Sequence, residues 1–142
     1  MTDAVRQQVY EIEEWIRTLP PVDVPVRHYF SSGVYAREIT IPAGTALTGK
    51  IHKYAQLNIL SAGEISVTIG NEVRRLKAPF TFVAPPGTKR AAYVHEEAVW
   101  TTIHGTDETD LTKIEEHFIA QTEQEYVTFC KVLEVEGTKC LG

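Results

Sequence analysis

Turn signals punctuate the middle of this chain and leave no room for a long helix. They fall at Ser31-Ser32-Gly33, Pro42-Ala43-Gly44, Ala62-Gly63, Gly70-Asn71 and Pro85-Pro86-Gly87, and the runs between them are rich in Val, Ile, Thr, Tyr and Phe. Pro fixes φ and Gly tolerates positive φ, so each signal interrupts or reverses the chain. The runs predict strands over 27–30, 34–41, 50–60, 64–69, 72–77, 80–84, 89–94 and 98–104. Gly70-Asn71 between two such runs predicts a two-residue hairpin. No helical segment intervenes, which argues against a parallel α/β sheet. The pattern predicts an all-β, antiparallel sandwich or jelly-roll barrel.

The flanks have a different texture. Residues 3–19 read as a helix capped by Thr2 or Asp3, with Val5, Val9, Ile12, Ile16 and Leu19 as a narrow apolar stripe. Tyr10 and Trp15 lie off that stripe, and Pro20-Pro21 ends the helix. Residues 108–134 read as a helical extension: Asp107-Glu108-Thr109-Asp110 offers caps, and Leu111, Ile114 and Phe118 make a stripe. Thr122-Glu123-Gln124-Glu125 has capping-box spacing, followed by Tyr126, Phe129, Cys130 and Leu133. The expectation is one domain over 1–142, with helix 3–19, a β region of about 24–105 and helices over about 108–134.

Composition bounds the partners. A hydrophobic fraction of 43% and a formal charge of −5 fit a globular protein and argue against nucleic acid or an anionic membrane. No run approaches the roughly 18 apolar residues of a membrane helix, and the N-terminus lacks an apolar signal core, so a cytoplasmic location is expected. Cys130 and Cys140 have no metal-type spacing; free thiols are the default, and a disulfide between them stays open. Cys130 is expected as a small core residue.

Candidate chemistry sits after the Pro42-Ala43-Gly44 turn. Lys50, His52, Tyr54, Gln56 and Asn58 share one strand parity, while Ile51, Leu57 and Ile59 take the other. Such a polar row either lines a cavity or belongs to a solvated edge strand.

This stretch and residues 80–90 resemble the two motifs of the cupin superfamily. His52-Lys53-Tyr54, then Asn58, then Gly63 match the first motif, and Pro85-Pro86-Gly87-Thr88-Lys89-Arg90 matches the second. The wider string, from Gly33 to Glu38 and from Trp100 to His104, is similar to small cupin-like proteins encoded by bacteriophages. The resemblance covers about residues 24–105 and implies a cupin-type antiparallel jelly-roll barrel with flanking N-terminal and C-terminal α-helices. Family enzymes commonly hold a divalent metal with three histidines and a glutamate. Carried over, those positions are His52, Tyr54, Asn58 and Arg90, of which only His52 is a good neutral ligand. Tyr54 would have to lose a proton, Asn58 offers a neutral amide oxygen, and Arg90 repels a divalent ion. No metal and no cofactor are therefore expected at this site.

Lys50, His52, Tyr54, Gln56, Asn58 and Arg90 would instead bind a small polar or anionic ligand, with Arg90 gripping carboxylate or phosphate and Lys50 adding charge. The competing reading of Arg90 is an internal ion pair with Glu38 or Glu64. A relocated metal site using His52, His28 and His104 stays open; His95 falls in an expected loop and His117 on the C-terminal helix. For the strand over 98–104, either Trp100, Thr102 and His104 or Val99, Thr101 and Ile103 could face inward. The resemblance also brings metal-free epimerases with a His base and a Tyr acid, but the face carrying His52 and Tyr54 has no carboxylate to orient a base. No Ser-His-Asp set, Cys-x-x-Cys or phosphate loop is present in the sequence. Non-catalytic ligand binding is the reading adopted. Its alternatives are a structural component of a phage particle and a metalloenzyme with displaced histidines. A homo-oligomer is expected from the apolar surface of the first helix.

Overall fold

The structure, a computed structural model, describes residues 3–135. Thr2, the Asp3 side chain, Cys140 and the tail over 136–142 lie outside the described residues. Helix α1 (Asp3–Ile16) leads into strands β1 (Val26–Ser31), β2 (Val34–Ile41), β3 (Ala46–Thr48), β4 (Ile51–His52) and β5 (Gln56–Ile69). Strands β6 (Glu72–Lys77), β7 (Phe80–Ala84) and β8 (Ala91–Gly105) follow, then α2 (Leu111–Phe118), β9 (Ile119–Ala120) and α3 (Glu123–Val135).

The chain is β-rich with helices at both ends, but the expected barrel is not formed. The main sheet has the open order β1-β2-β8-β5-β6, with β3 added on β8 and β7 on β5. Strands β1 and β6 remain its edges. The expected strand over 50–60 breaks at residues 53–55, and β4 turns to β9, pairing Ile51 with Ala120 and His52 with Ile119. A strand diverted to a separate two-stranded sheet cannot bridge the open edges.

Two expected interruptions are bulges instead of turns. The strand expected to stop before Gly63 continues through it as β5, and the runs over 89–94 and 98–104 are one strand, β8. The β5–β8 register shifts between Leu60 and Ala62, between Ala62 and Glu64, and between Glu64 and Ile65. A bulge absorbs an extra residue and bends the strand without ending its pairing. Gly63 adopts φ +87°, and a Cβ there would lie 2.2 Å from the Glu97 carbonyl oxygen, so only glycine lets β8 pass so close. The Gly70-Asn71 hairpin forms as expected, with Ile69 opposite Glu72.

Ile41, Leu60, Ile65, Val67, Leu76, Val94 and Ala98 make the main core, and Ile51, Ala120 and Tyr126 a second cluster joining β4, β9 and α3. Helix α1 is three residues shorter than expected, because the Thr18 N–H and hydroxyl both donate to the Trp15 carbonyl, at 3.0 and 2.6 Å, and close its last turn. The apolar stripe is only partly its packed face: Val9 is buried, Ile12 and Leu19 are exposed, and Arg6 is buried beside Val9. Asp110 caps α2 as expected, accepting from Thr112 and Lys113 N–H. Thr122 Oγ1 accepts from Glu125 N–H at 3.1 Å at the start of α3. Cys130 is half-buried against the second cluster. Among the described residues no helix is long and apolar enough to cross a membrane.

Candidate functional site

A cavity of about 690 Å³ opens along the inner face of β1, β2, β8 and β5, closed on another side by β3, β4 and α2. Strand register places its wall in layers. Tyr35 lies opposite His104; His28 lies opposite Arg37, which faces Thr102, which faces Asn58; Val26 lies opposite Ile39, and Ile39 opposite Trp100. Side chains two apart share a face, so this parity of β8 looks inward. Of the two faces left open for residues 98–104, the cavity takes Trp100, Thr102 and His104.

Of the six expected residues, Lys50, His52, Asn58 and Arg90 line the cavity and Tyr54 and Gln56 do not. The single polar row fails because its strand is broken. Lys53 N–H donates to the Phe118 carbonyl at 2.8 Å, and Tyr54 stacks on His117 with centroids 5.1 Å apart, on the α2–α3 side. Gln56 is buried where β5 pairs with β7, opposite Ala84, and its amide has no hydrogen-bond partner.

His52 is held from both sides. β4 pairs it with Ile119, while its N–H donates to Thr88 O at 3.1 Å and its carbonyl accepts from Gly87 N–H at 2.8 Å. Its ring stacks on His104 at 5.7 Å, His104 on Tyr35 at 6.0 Å, and Tyr35 on His28 at 5.9 Å. Burial, then the charges of His104, Arg90 and Arg37, pull the His52 pKa down to about 3; burial and Arg37 bring His104 to about 4. Both imidazoles are thus neutral at pH 7, and His52 Nδ1 is buried with no hydrogen-bond partner.

Asn58 is a fixed wall element. Its Oδ1 accepts from Trp100 Nε1 and from Thr102 Oγ1, each at 3.1 Å. Lys50 is tied in an ion pair with Glu115 of α2. Arg90 differs from both. Its guanidinium lies 4.8 Å from the Phe82 ring centroid and 5.9 Å from that of Trp100, and Nε has no hydrogen-bond partner. The carboxylates expected to pair with it are engaged elsewhere: Glu64 with Arg75 at 3.0 Å, and Glu38 with the Tyr29 hydroxyl at 3.3 Å. Burial alone pulls the Arg90 pKa down to about 10.

Sequence reasoning missed Arg37 and Tyr35 as wall groups. Their signal was the alternation of residues 34–41, which is uninformative until β2 is known to sit beside β8.

The four positions carried over from the metal-binding motif do not fit a metal. Tyr54 points elsewhere, Asn58 Oδ1 already accepts two hydrogen bonds, and Arg90 brings a fixed cation. The displaced set does not assemble either, because the Tyr35 ring stands between His28 and His104, and His28 Nδ1 is 2.7 Å from the Tyr35 hydroxyl. Among the described residues, no group of three or more His, Cys, Asp or Glu side chains is placed to hold a metal ion.

No protein-family model and no curated protein matches the chain. Solved structures do. KdgF from Halomonas sp. is 19% identical with a TM-score of 0.50, covering 61% of this chain and 84% of its own. A cupin superfamily protein from Desulfitobacterium hafniense is 14% identical at a TM-score of 0.50, covering 65% of this chain and 87% of its own. The cupin domain of Schizosaccharomyces pombe Cnp3 is 18% identical, also at 0.50, covering 72% of this chain and 71% of its own. At such identities the likeness speaks to fold alone: the chain has a cupin-like fold whose main sheet stays open.

Proposed function

We propose that this chain is a cupin-like binding domain that takes a small organic anion in its cavity, without a protein-bound metal and without catalysis. The observation that carries the reading is Arg90. A guanidinium held in a pocket against two aromatic rings, with no carboxylate in ion-pair range among the described residues, is a ready partner for a carboxylate or phosphate. Arg37 adds a second positive group to the same wall, and Glu115, the one carboxylate lining the cavity among the described residues, is already paired with Lys50. The site is therefore electropositive inside a chain of net charge −5. Neutral His52 lines the same cavity.

Calorimetric titration with a panel of carboxylates and phosphate esters tests this. Wild-type protein is expected to bind at least one of them, and Arg90→Met to lose that binding with its circular dichroism spectrum unchanged. Undiminished binding in the variant refutes the assignment.

A further inference from the structure

Resting on that reading, we infer that the ligand is amphipathic: an organic acid whose head group sits at Arg90 and whose aliphatic body fills the apolar end of the cavity. The wall is not uniformly polar. On one side of the layer formed by Arg37, Thr102 and Asn58 lie Ile39 and Trp100, and then Val24, Leu47 and Ala92, which pack on the core yet stay half-exposed because they face the cavity. Apolar surface left open in a pocket gains free energy when an apolar group covers it.

The polar groups of the wall point the same way. Thr102 and Trp100 spend their donors on Asn58, the Thr88 hydroxyl donates to Pro85 O at 2.6 Å, and Glu115 is held by Lys50 and Gln121. Hydrogen-bonding capacity on the wall is left mainly on Arg90, Arg37 and the imidazoles of His52, His104 and His28, a set suited to an acid group and absent from the apolar end. A sugar ring in the apolar end would strand its hydroxyls, each weakening binding by about tenfold. A volume of about 690 Å³ is that of a pocket for a drug-sized molecule, so the head group alone leaves most of it unfilled.

The test is an affinity series of straight-chain carboxylates from butanoate to dodecanoate, with galacturonate and octan-1-ol as controls, on the full chain. Affinity is expected to rise about fourfold per methylene until the pocket is full. Octanoate should exceed both controls, and Leu47→Asn should flatten the series. The wild-type series alone decides the matter if that variant fails to fold. A flat series, or galacturonate binding as tightly as octanoate and depending on Arg90, overturns the amphipathic assignment and leaves the anion site standing. Octan-1-ol matching octanoate overturns the head-group placement. Failure of every carboxylate and phosphate to bind at millimolar concentration removes both this inference and the function it rests on.

Discussion

Replacing Arg90 with methionine should stabilise the empty protein. Burial lowers the guanidinium pKa from its ordinary value to about 10. At about 1.4 kcal/mol per unit, the folded state holds this cation at a penalty of about 3 kcal/mol. Because the folded value lies below the unfolded one, that penalty is fully present at neutral pH and fades only as pH rises through about 10. The rings of Phe82 and Trp100 return part of it, about 1–2 kcal/mol, by attraction of the cation to their faces. Methionine keeps the linear apolar stem and removes the charge, so a net gain of about 1–2 kcal/mol is expected. For a chain of this size that is a rise in Tm of about 3–8 °C. Urea denaturation at neutral pH, without added anions, measures it directly, while ligand-induced stabilisation should appear only in the wild type. A loss of stability on substitution would mean the guanidinium is satisfied inside the empty protein, and the case for an anionic ligand would fall with it.

Acid should weaken the fold before the carboxylates titrate. With folded pKa values near 3 and 4 against an ordinary 6.5, His52 and His104 have no effect above about pH 6.5. Below it the unfolded chain takes up protons first, and stability falls by about 1.4 kcal/mol per pH unit for His52, less for the better-solvated His104. Denaturation midpoints between about pH 7 and about pH 5 should show this slope, reduced in the His52→Gln, His104→Gln double variant; an equal slope in both would sink the argument. Gly63→Ala should cost about 3 kcal/mol or more, because its Cβ meets backbone atoms of Glu97 and Ala98 at 2.2 and 2.6 Å; a drop in Tm of only a degree or two would contradict the close approach. Glu13→Ala removes a carboxylate that accepts from Thr48 Oγ1 at 2.6 Å and from buried Lys89 at 2.9 Å. It should destabilise by about 2–4 kcal/mol in thermal melts, and a neutral result would show that α1 is not fixed by this contact.

The sequence was most legible where one strong local signal decided the geometry. Gly70-Asn71 made its hairpin and Asp110 made its cap, because a two-residue turn and an N-cap are solved within a few residues. The polar row was less legible. Its parity argument assumed one continuous strand, and the break at residues 53–55 comes from a partner far along the chain: β9 pairs with β4, and Phe118 O takes the Lys53 N–H. Gly63 carried a turn signal that was true of its φ and false of its effect, since a bulge and a turn ask for the same backbone conformation. Arg37 and Tyr35 could not be found at all until β2 was seated beside β8. Arg90 was found through the cupin resemblance, yet its ion-pair reading required knowing that Glu64 and Glu38 lie elsewhere.

The flanking helices do local work on the cavity. Arg6 of α1 donates to the Gly87 carbonyl at 3.2 Å and pairs with Glu123 of α3 at 3.0 Å. Glu13 of the same helix holds Thr48 and Lys89, and Lys89 reaches across to the Gly49 carbonyl at 2.7 Å. These contacts fall on residues 48–49 and 87–89, the two segments that run into His52 and Arg90. Gly49 N–H donates to the Arg90 carbonyl at 2.9 Å, so the segments are also bonded to each other. From the other side, α2 and β9 fix His52 and supply Phe118 and Glu115 to the wall. An open sheet lacks the hydrogen-bonded closure that would hold these segments in place. The helical extensions tie these segments together instead, with part-buried ion pairs and a two-residue strand.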